Sequence, residues 1–125
     1  MKKQLRFGKV GYNGQDPKLG ITYAVKAGAE KGDIVSPTAT PGQVERAVAE
    51  QPFEGELVTL EKDGYGAVHR GNVTIARRTG EIPTGFQNLA TDGTGGVKVA
   101  ADAASSTRCR VIGTDADSVA FYIIS

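Results

Sequence analysis

The chain has 125 residues, 39% hydrophobic and 23% charged, and its 15 Lys and Arg against 14 Asp and Glu give a net charge of +1. A chain of this length buries roughly two-thirds of its extended surface, enough for a core without metals or disulfides. This composition excludes a disordered charged tail and a polycation that coats nucleic acid. Its 17 glycines are about twice the usual share. With five prolines and few helix-forming stretches, they predict short strands and many turns.

The first twenty residues are predicted to form a polar arm ahead of a single β domain at 21–125. The segment has too little apolar surface to order by itself, so we expect it to be disordered in the free protein and to order against a partner. One alternative is a loosely held terminus without a binding role. Another is that Phe7 and Val10 lie in a first strand of the domain. The side chains expected to contact the partner are Leu5, Phe7, Tyr12, Lys2, Lys3 and Arg6.

From residue 21 onward, short stretches of alternating or apolar residues are separated by turn signals, which predicts strands. Residues 43–50 fit a strand or a helix. We favour a strand because Gly42 and Pro52 leave too little room for a typical helix. The predicted fold is all-β, a small barrel or sandwich (β-tulip-like) of about eight to ten short strands. The predicted strands are 21–26, 34–35, 43–50, 57–61, 67–70, 73–77, 86–90, 97–100, 108–112 and 119–124.

The longest apolar run is residues 119–124, which is too short to cross a bilayer. Both faces of this predicted strand are apolar, so we expect it to be covered on both sides or to lie at a subunit contact. No apolar segment follows the basic start of the chain, so no signal peptide is predicted. These features predict a protein made in the cytoplasm of its host and not bound to a membrane.

A faint internal repeat suggests two related halves. Each half has a glycine-led strand, a glycine turn, a short strand, a connection and a further strand. An offset of 53 residues carries Gly32 onto Gly85, Gly42 onto Gly95, Val44 onto Val97, Ala47 onto Ala100 and Val58 onto Val111.

The candidate catalytic residues are better interpreted as structural. His69, the only histidine, has no partner at ligand spacing and is predicted to be a half-exposed strand residue. Cys109, the only cysteine, excludes an internal disulfide. Alternation turns Arg108 and Arg110 to the face opposite Cys109, which is therefore predicted to be buried and unreactive.

Other polar groups also lack the spacing of a known site. Asp115 and Asp117 begin like a calcium loop but lack its glycine, and a solvated turn is predicted. The glycine-rich residues 91–96 lack the lysine of a phosphate loop and are predicted to be a hairpin tip. We expect no enzyme, no metal and no cofactor. Three glutamates are candidates for acid–base catalysis, but Glu56 is expected to face solvent; the three are Glu54, Glu56 and Glu61. A small basic patch is a candidate for nucleic-acid binding and comprises His69, Arg70, Arg77 and Arg78.

Several short motifs, in order, resemble the capsid cement proteins of tailed phages. They are AGAEKGDIV at 27–35, PFEGELVTL at 52–60, GNVTI at 71–75, a glycine-led strand near Gly85, and VIG at 111–113 before an apolar C-terminus. The resemblance covers roughly residues 27–125. The first twenty residues and the long segment 83–96 depart from the fixed features of that family.

The resemblance implies a structural head-decoration protein with a mostly β fold and no catalytic motif. Such proteins bind the outside of an expanded phage head and stabilise it against internal DNA pressure. The expected partners are the major capsid protein and two further copies, in a homotrimer at three-fold or quasi-three-fold positions. The expected location is the virion surface, and nucleic acid is not an expected partner. The alternative is a small β-barrel that binds single-stranded nucleic acid.

Overall fold

A computed structural model describes residues 3–13, 20–70 and 73–124. The predicted all-β class is confirmed, with twelve strands and one short 3-10 turn, Ala103–Ser105, in these ranges. No helix among them is long and apolar enough to cross a membrane. The strands are β1 Gln4–Phe7, β2 Val10–Asn13, β3 Gly20–Val25, β4 Ile34–Pro37, β5 Gln43–Glu45, β6 Gly55–Leu57, β7 Tyr65–His69, β8 Thr74–Arg77, β9 Gly85–Thr91, β10 Val97–Val99, β11 Thr107–Thr114 and β12 Ser118–Ile123.

The first half of the domain, β3 to β7, closes into a five-stranded barrel in the order β3-β5-β4-β6-β7. All its pairings are antiparallel except β3 with β5. Alternating side chains point inward, and Tyr23 and Val25 of β3 pack against the core. The buried members of this core are Ala29, Val35, Val44, Leu57 and Val68.

The second half forms a five-stranded sheet in the order β10-β9-β11-β12-β8. Its two ends approach each other, because Arg78 makes a parallel bridge to Val97 and the Thr79 N–H donates to the Val97 carbonyl at 2.9 Å. The inner face of the sheet is almost entirely apolar. Its buried members include Ala76, Ile82, Leu89, Val97, Cys109, Val111, Val119 and Phe121.

The two halves have the same strand order, which confirms the predicted relation between them. The 53-residue offset carries β3 to β7 onto β8 to β12. It maps the β3–β7 pairs onto the β8–β12 pairs residue for residue, for example Ile21↔Val68 onto Thr74↔Phe121. Their glycine turns also agree, because Gly42 and Gly95 both have positive φ, at 76° and 93°.

The two halves are packed as one body. Ile34 and Phe53 belong to the first half but are buried in the core of the second sheet. The Phe53 ring meets Phe121 edge to face, with 5.9 Å between centroids. The Phe53 N–H donates to Thr107 Oγ1 at 2.9 Å, and the Ile34 N–H donates to the Gly95 carbonyl at 2.8 Å. Removing either half would therefore expose core of the other.

Two predicted strands are longer than the strands observed. The strand predicted at 43–50 is β5, Gln43–Glu45, and ends where Arg46 turns to bind Asp33 through Nε at 2.8 Å. The strand predicted at 57–61 is regular only in β6, Gly55–Leu57. Beyond it the Thr59 hydroxyl accepts the Ala67 N–H at 3.0 Å. A side-chain acceptor takes the place of a ladder carbonyl there.

The first strands belong to a hairpin, β1–β2, that packs on the second sheet. Leu5 is only 5% exposed and packs with Ile75 and Ala120. Phe7 lies over Gly113, where a Cβ would approach its ring to 2.7 Å. The expectation that this segment cannot order on its own chain is therefore wrong for residues 3–13. The expectation underestimated how much apolar contact Leu5 and Phe7 make with the second sheet. The hairpin also takes the count beyond the predicted eight to ten strands.

An ion pair adds to this contact. The Lys3 Nζ donates to Glu56 Oε2 and to the Ile75 carbonyl, each at 3.0 Å. Glu56 is buried, so the expectation that it faces solvent is wrong. Because the carboxylate is withdrawn from water, it needs the lysine as its partner.

The hairpin also explains why the C-terminal strand is apolar on both faces. Val119 and Phe121 point into the core of the sheet, while Ala120 packs with Leu5 of the hairpin. The prediction of a strand covered on both sides is confirmed for these positions. Nearer its end the outer face opens, and Tyr122 is 40% exposed.

Replacing Phe121 by Ala should lower the free energy of unfolding by about 3–5 kcal/mol, since a fully buried ring is removed from the shared core. Phe86→Ala is the matched control, because this ring lies in the same sheet but is 60% exposed. That change should cost less than about 1 kcal/mol. Chemical denaturation of both variants measures the difference, and equal losses would contradict this core assignment.

Leu5→Ala should destabilise the free protein by about 2–5 kcal/mol, because the hairpin then no longer fills its contact with Ile75 and Ala120. Val10→Ala is the control in the same hairpin, where the side chain is 52% exposed, and should cost less than about 1 kcal/mol. Thermal melting followed by circular dichroism distinguishes them. An unchanged midpoint in Leu5→Ala would show that the hairpin does not contribute to the fold.

Candidate functional site: the outer face of the second sheet

The outer face of the second sheet presents arginine and aromatic side chains. Along β11, Cys109 and Val111 point into the core, so Arg108 and Arg110 point outward. The strand register places Phe86 of β9 and Tyr122 of β12 on either side of Arg110. We call Tyr12, Phe86, Arg108, Arg110 and Tyr122 the arginine–aromatic face.

The Phe86 ring lies close to the guanidinium groups of both arginines. Its ring is 60% exposed, and the guanidinium carbons of Arg108 and Arg110 lie 6.0 and 5.8 Å from its centroid. These are cation–π distances. Arg108 Nη1 also donates to Asn88 Oδ1 at 3.1 Å, and Arg110 Nη1 donates to the Val111 carbonyl. Both guanidinium groups are therefore held near one aromatic ring, with other N–H donors left over.

A shallow depression of about 450 Å³ adjoins Arg110. Tyr12 of the hairpin and Tyr122 of β12 form parts of its wall. The hairpin and the sheet thus contribute to one continuous surface. The depression is lined by Tyr12, Val73, Arg110, Ile112 and Tyr122.

The arginines of this face have no acidic neighbour among the described residues. No carboxylate in these ranges lies within 4.0 Å of the guanidinium nitrogens of Arg108 or Arg110. Five other cations do form such pairs, and they are Lys3, Lys26, Arg46, Arg70 and Lys98. Within the described ranges, the positive charge of this face is therefore not neutralised by an ion pair.

The structure divides the six residues predicted to contact a partner. Leu5, Phe7 and Lys3 are used within the chain, in the packing of the hairpin. Arg6 is exposed, and its Nε donates to the Gly8 carbonyl at 3.1 Å. Tyr12 joins the arginine–aromatic face. Lys2 lies outside the described residues, as does the predicted turn at 71–72.

Phe86 and Tyr122 are surface residues that were not predicted from the sequence. Both lie in predicted strands, where an aromatic residue is ordinarily assigned to a core. The alternation of Arg108 and Arg110 around Cys109 was the available signal. This alternation shows that β11 has an outward face, but it does not show which strands lie beside β11.

The catalytic candidates occupy the predicted structural positions. His69 is half-buried in β7, and Cys109 is fully buried. Burial raises the pKa of the Cys109 thiol to about 12. Asp115 and Asp117 are exposed at the β11–β12 turn. No group of three potential metal-binding side chains occurs among residues 3–13, 20–70 and 73–124.

The glycine-rich segment 91–96 is a hairpin tip held by Asp92. Burial opposes ionisation of this carboxylate, but hydrogen bonds from Thr94, Thr79 and the Gly96 N–H hold its pKa below the usual value. These donors belong to the chain's own loop. The aspartate therefore fixes the turn between β9 and β10.

The predicted basic patch is dispersed into local contacts. Arg70 pairs with Glu54 at 3.5 Å, and Arg77 donates to the Thr94 carbonyl at 3.0 Å. Arg78 donates to the carbonyls of Asp115, Gly80 and Ala116. The guanidinium groups of Arg77 and Arg78 therefore hold loops in place through hydrogen bonds to backbone carbonyls.

No protein-family model matches this sequence, and no curated protein sequence is significantly similar to it.

The native protein should not react with Ellman's reagent at pH 8. With a thiol pKa of about 12, about one thiol in ten thousand is ionised at that pH, and the side chain is fully buried. Unfolding in guanidinium chloride should release one reactive thiol per chain, which serves as the control. Rapid reaction of the folded protein would contradict the burial of Cys109.

Proposed function

We propose that the protein is a capsid decoration (cement) protein. It binds the outside of an expanded phage head, as a homotrimer at three-fold or quasi-three-fold positions, and stabilises the shell against internal DNA pressure. The arginine–aromatic face is the observation that carries this proposal. It is the surface through which the protein contacts the major capsid protein.

The composition of the face favours a protein partner. Arginine, tyrosine and phenylalanine are enriched at the centres of protein interfaces, where they contribute a large share of the binding energy. Phe86 and Tyr122 place apolar area beside fixed cations. A shell subunit that covers this surface would bury both at once.

The architecture is compatible with a mechanical role. The shared core around Phe53 and Phe121 ties both halves together, and Lys3 ties the hairpin to Glu56 of the first half and Ile75 of the second. A body joined in this way transmits force between its contact surfaces instead of separating into lobes. This property suits a protein that braces a shell.

Two of the segments that resemble cement proteins, 27–35 and 52–60, lie where the halves meet. Asp33 in the motif at 27–35 binds Arg46, and its neighbour Ile34 enters the second core. Phe53 in the motif at 52–60 packs on Phe121. The resemblance therefore concerns residues with a structural task in this fold, which supports a shared architecture.

A second candidate function is binding of single-stranded nucleic acid. One observation favours it: an exposed aromatic ring flanked by arginines on a sheet can stack a base and contact phosphate. The dispersal of Arg70, Arg77 and Arg78 into local contacts weakens it, because little of a basic path remains along the sheet.

Co-sedimentation with heads assembled from the major capsid protein of the same genome tests the proposal. The wild-type protein should pellet with expanded, empty heads and not with unexpanded ones. Phe86→Ala should weaken binding about tenfold or more, as expected for an interface anchor. Tyr65→Ala is the matched control, since this exposed ring lies on the barrel of the first half. It should bind like the wild type.

Failure of the wild-type protein to bind expanded heads would overturn the proposal. A salt-sensitive gel shift with oligothymidylate, lost in Phe86→Ala, would then support the second candidate.

A further inference from the structure

We propose that Arg108 and Arg110 bind carboxylates on the partner, so that the partner surface onto which the protein docks is acidic. This inference rests on the proposed function and specifies the chemistry of the partner. The occupant of the face is an acidic segment of a shell subunit. Its carboxylates lie against the two guanidinium groups, and an apolar side chain beside them enters the depression next to Arg110.

The charge of the face favours an anionic partner. Arg108 and Arg110 are two positions apart on β11 and point to the same side of the sheet. Both guanidinium carbons lie within 6.0 Å of one ring centroid. Two positive charges on the same face of one strand attract the same anion. Since no described carboxylate neutralises the pair, a partner's carboxylate interacts favourably with both charges.

The donors of the two arginines are already oriented in the free protein. Phe86 lies at cation–π distance from both groups. Arg108 donates through one nitrogen to Asn88, and Arg110 donates through one nitrogen to the Val111 carbonyl. A guanidinium has five N–H donors in a planar fork, so the remaining ones can bind a carboxylate through two parallel hydrogen bonds. Groups held in place before binding lose less conformational entropy when the partner arrives.

An apolar wall lies beside Arg110. Tyr12, Ile112 and Tyr122 surround the depression that this arginine also lines. A side chain that fills it excludes water from the neighbouring ion pair, and an ion pair shielded from water is stronger than an exposed one. The depression thus favours an acidic residue next to an apolar one over an isolated carboxylate.

The overall charge favours protein carboxylates over a phosphate chain. Residues 73–125 contain as many acidic as basic side chains, so the second half as a whole carries no excess of positive side chains. A nucleic acid would need cations along its path. The basic residues are Arg77, Arg78, Lys98, Arg108 and Arg110, and the acidic ones are Glu81, Asp92, Asp102, Asp115 and Asp117.

The decisive variant is the double substitution Arg108→Lys with Arg110→Lys. It keeps both charges but removes the planar fork and the stacking on Phe86. Binding to expanded heads should weaken about tenfold or more. Arg77→Lys is the matched control, because Arg77 is an exposed arginine of the same sheet whose recorded partner is a backbone carbonyl. This control should bind like the wild type.

A test without heads separates this inference from the proposed function. Fluorescence anisotropy compares three probes: a glutamate-rich peptide, the same peptide with glutamine in place of glutamate, and oligothymidylate. The wild-type protein should prefer the glutamate peptide over the glutamine peptide by about tenfold. Added salt should reduce this preference, and the double lysine variant should lose it.

Each result decides one of the two claims. If the wild type binds heads and the double lysine variant binds equally well, the inference fails while the decoration function stands. If heads are not bound but the glutamate preference is present and lost in the double variant, the decoration function fails and the carboxylate site stands. No preference for the glutamate peptide, or stronger binding of oligothymidylate, overturns the inference.

Discussion

The contact between Phe53 and Phe121 is the interaction on which the rest of the architecture depends. Phe53 comes from the connection between β5 and β6 but lies in the core of the second sheet, edge to face with Phe121. Its backbone N–H is satisfied by the buried hydroxyl of Thr107. A duplicated unit has two cores that could open independently. This ring anchors the first half in the core of the second sheet, whose outer face presents Phe86 and the arginines.

The hairpin completes that outer face. The second sheet would expose Ala120 of β12 and Ile75 of β8 if β1 and β2 did not cover them. The same hairpin brings Tyr12 beside Tyr122 and Arg110. Its position is fixed by Leu5 and by the pairing of Lys3 with the buried Glu56. Stability and surface composition therefore come from the same few contacts, and a change in the hairpin affects both.

The fold class could be predicted because it depends on local patterns. Alternation and glycine turns located most strands, and the 53-residue offset found the two halves, whose registers agree at β3–β7 and β8–β12. The site could not be predicted, since it depends on which strands become neighbours. Phe86 and Arg110 are distant in sequence and meet only through the β9–β11 register. The burial of Glu56 was missed for the same reason, because Lys3 lies in a segment judged unable to order.

The most direct test of the central claim is a cryo-electron microscopy reconstruction of expanded heads carrying the protein. The claim is that the arginine–aromatic face is the surface that meets the shell. The reconstruction should place Phe86, Arg108 and Arg110 against the major capsid protein, with acidic side chains opposite the guanidinium groups and Tyr65 in solvent or against another copy. A reconstruction in which β9, β11 and β12 turn this face to solvent would contradict the account.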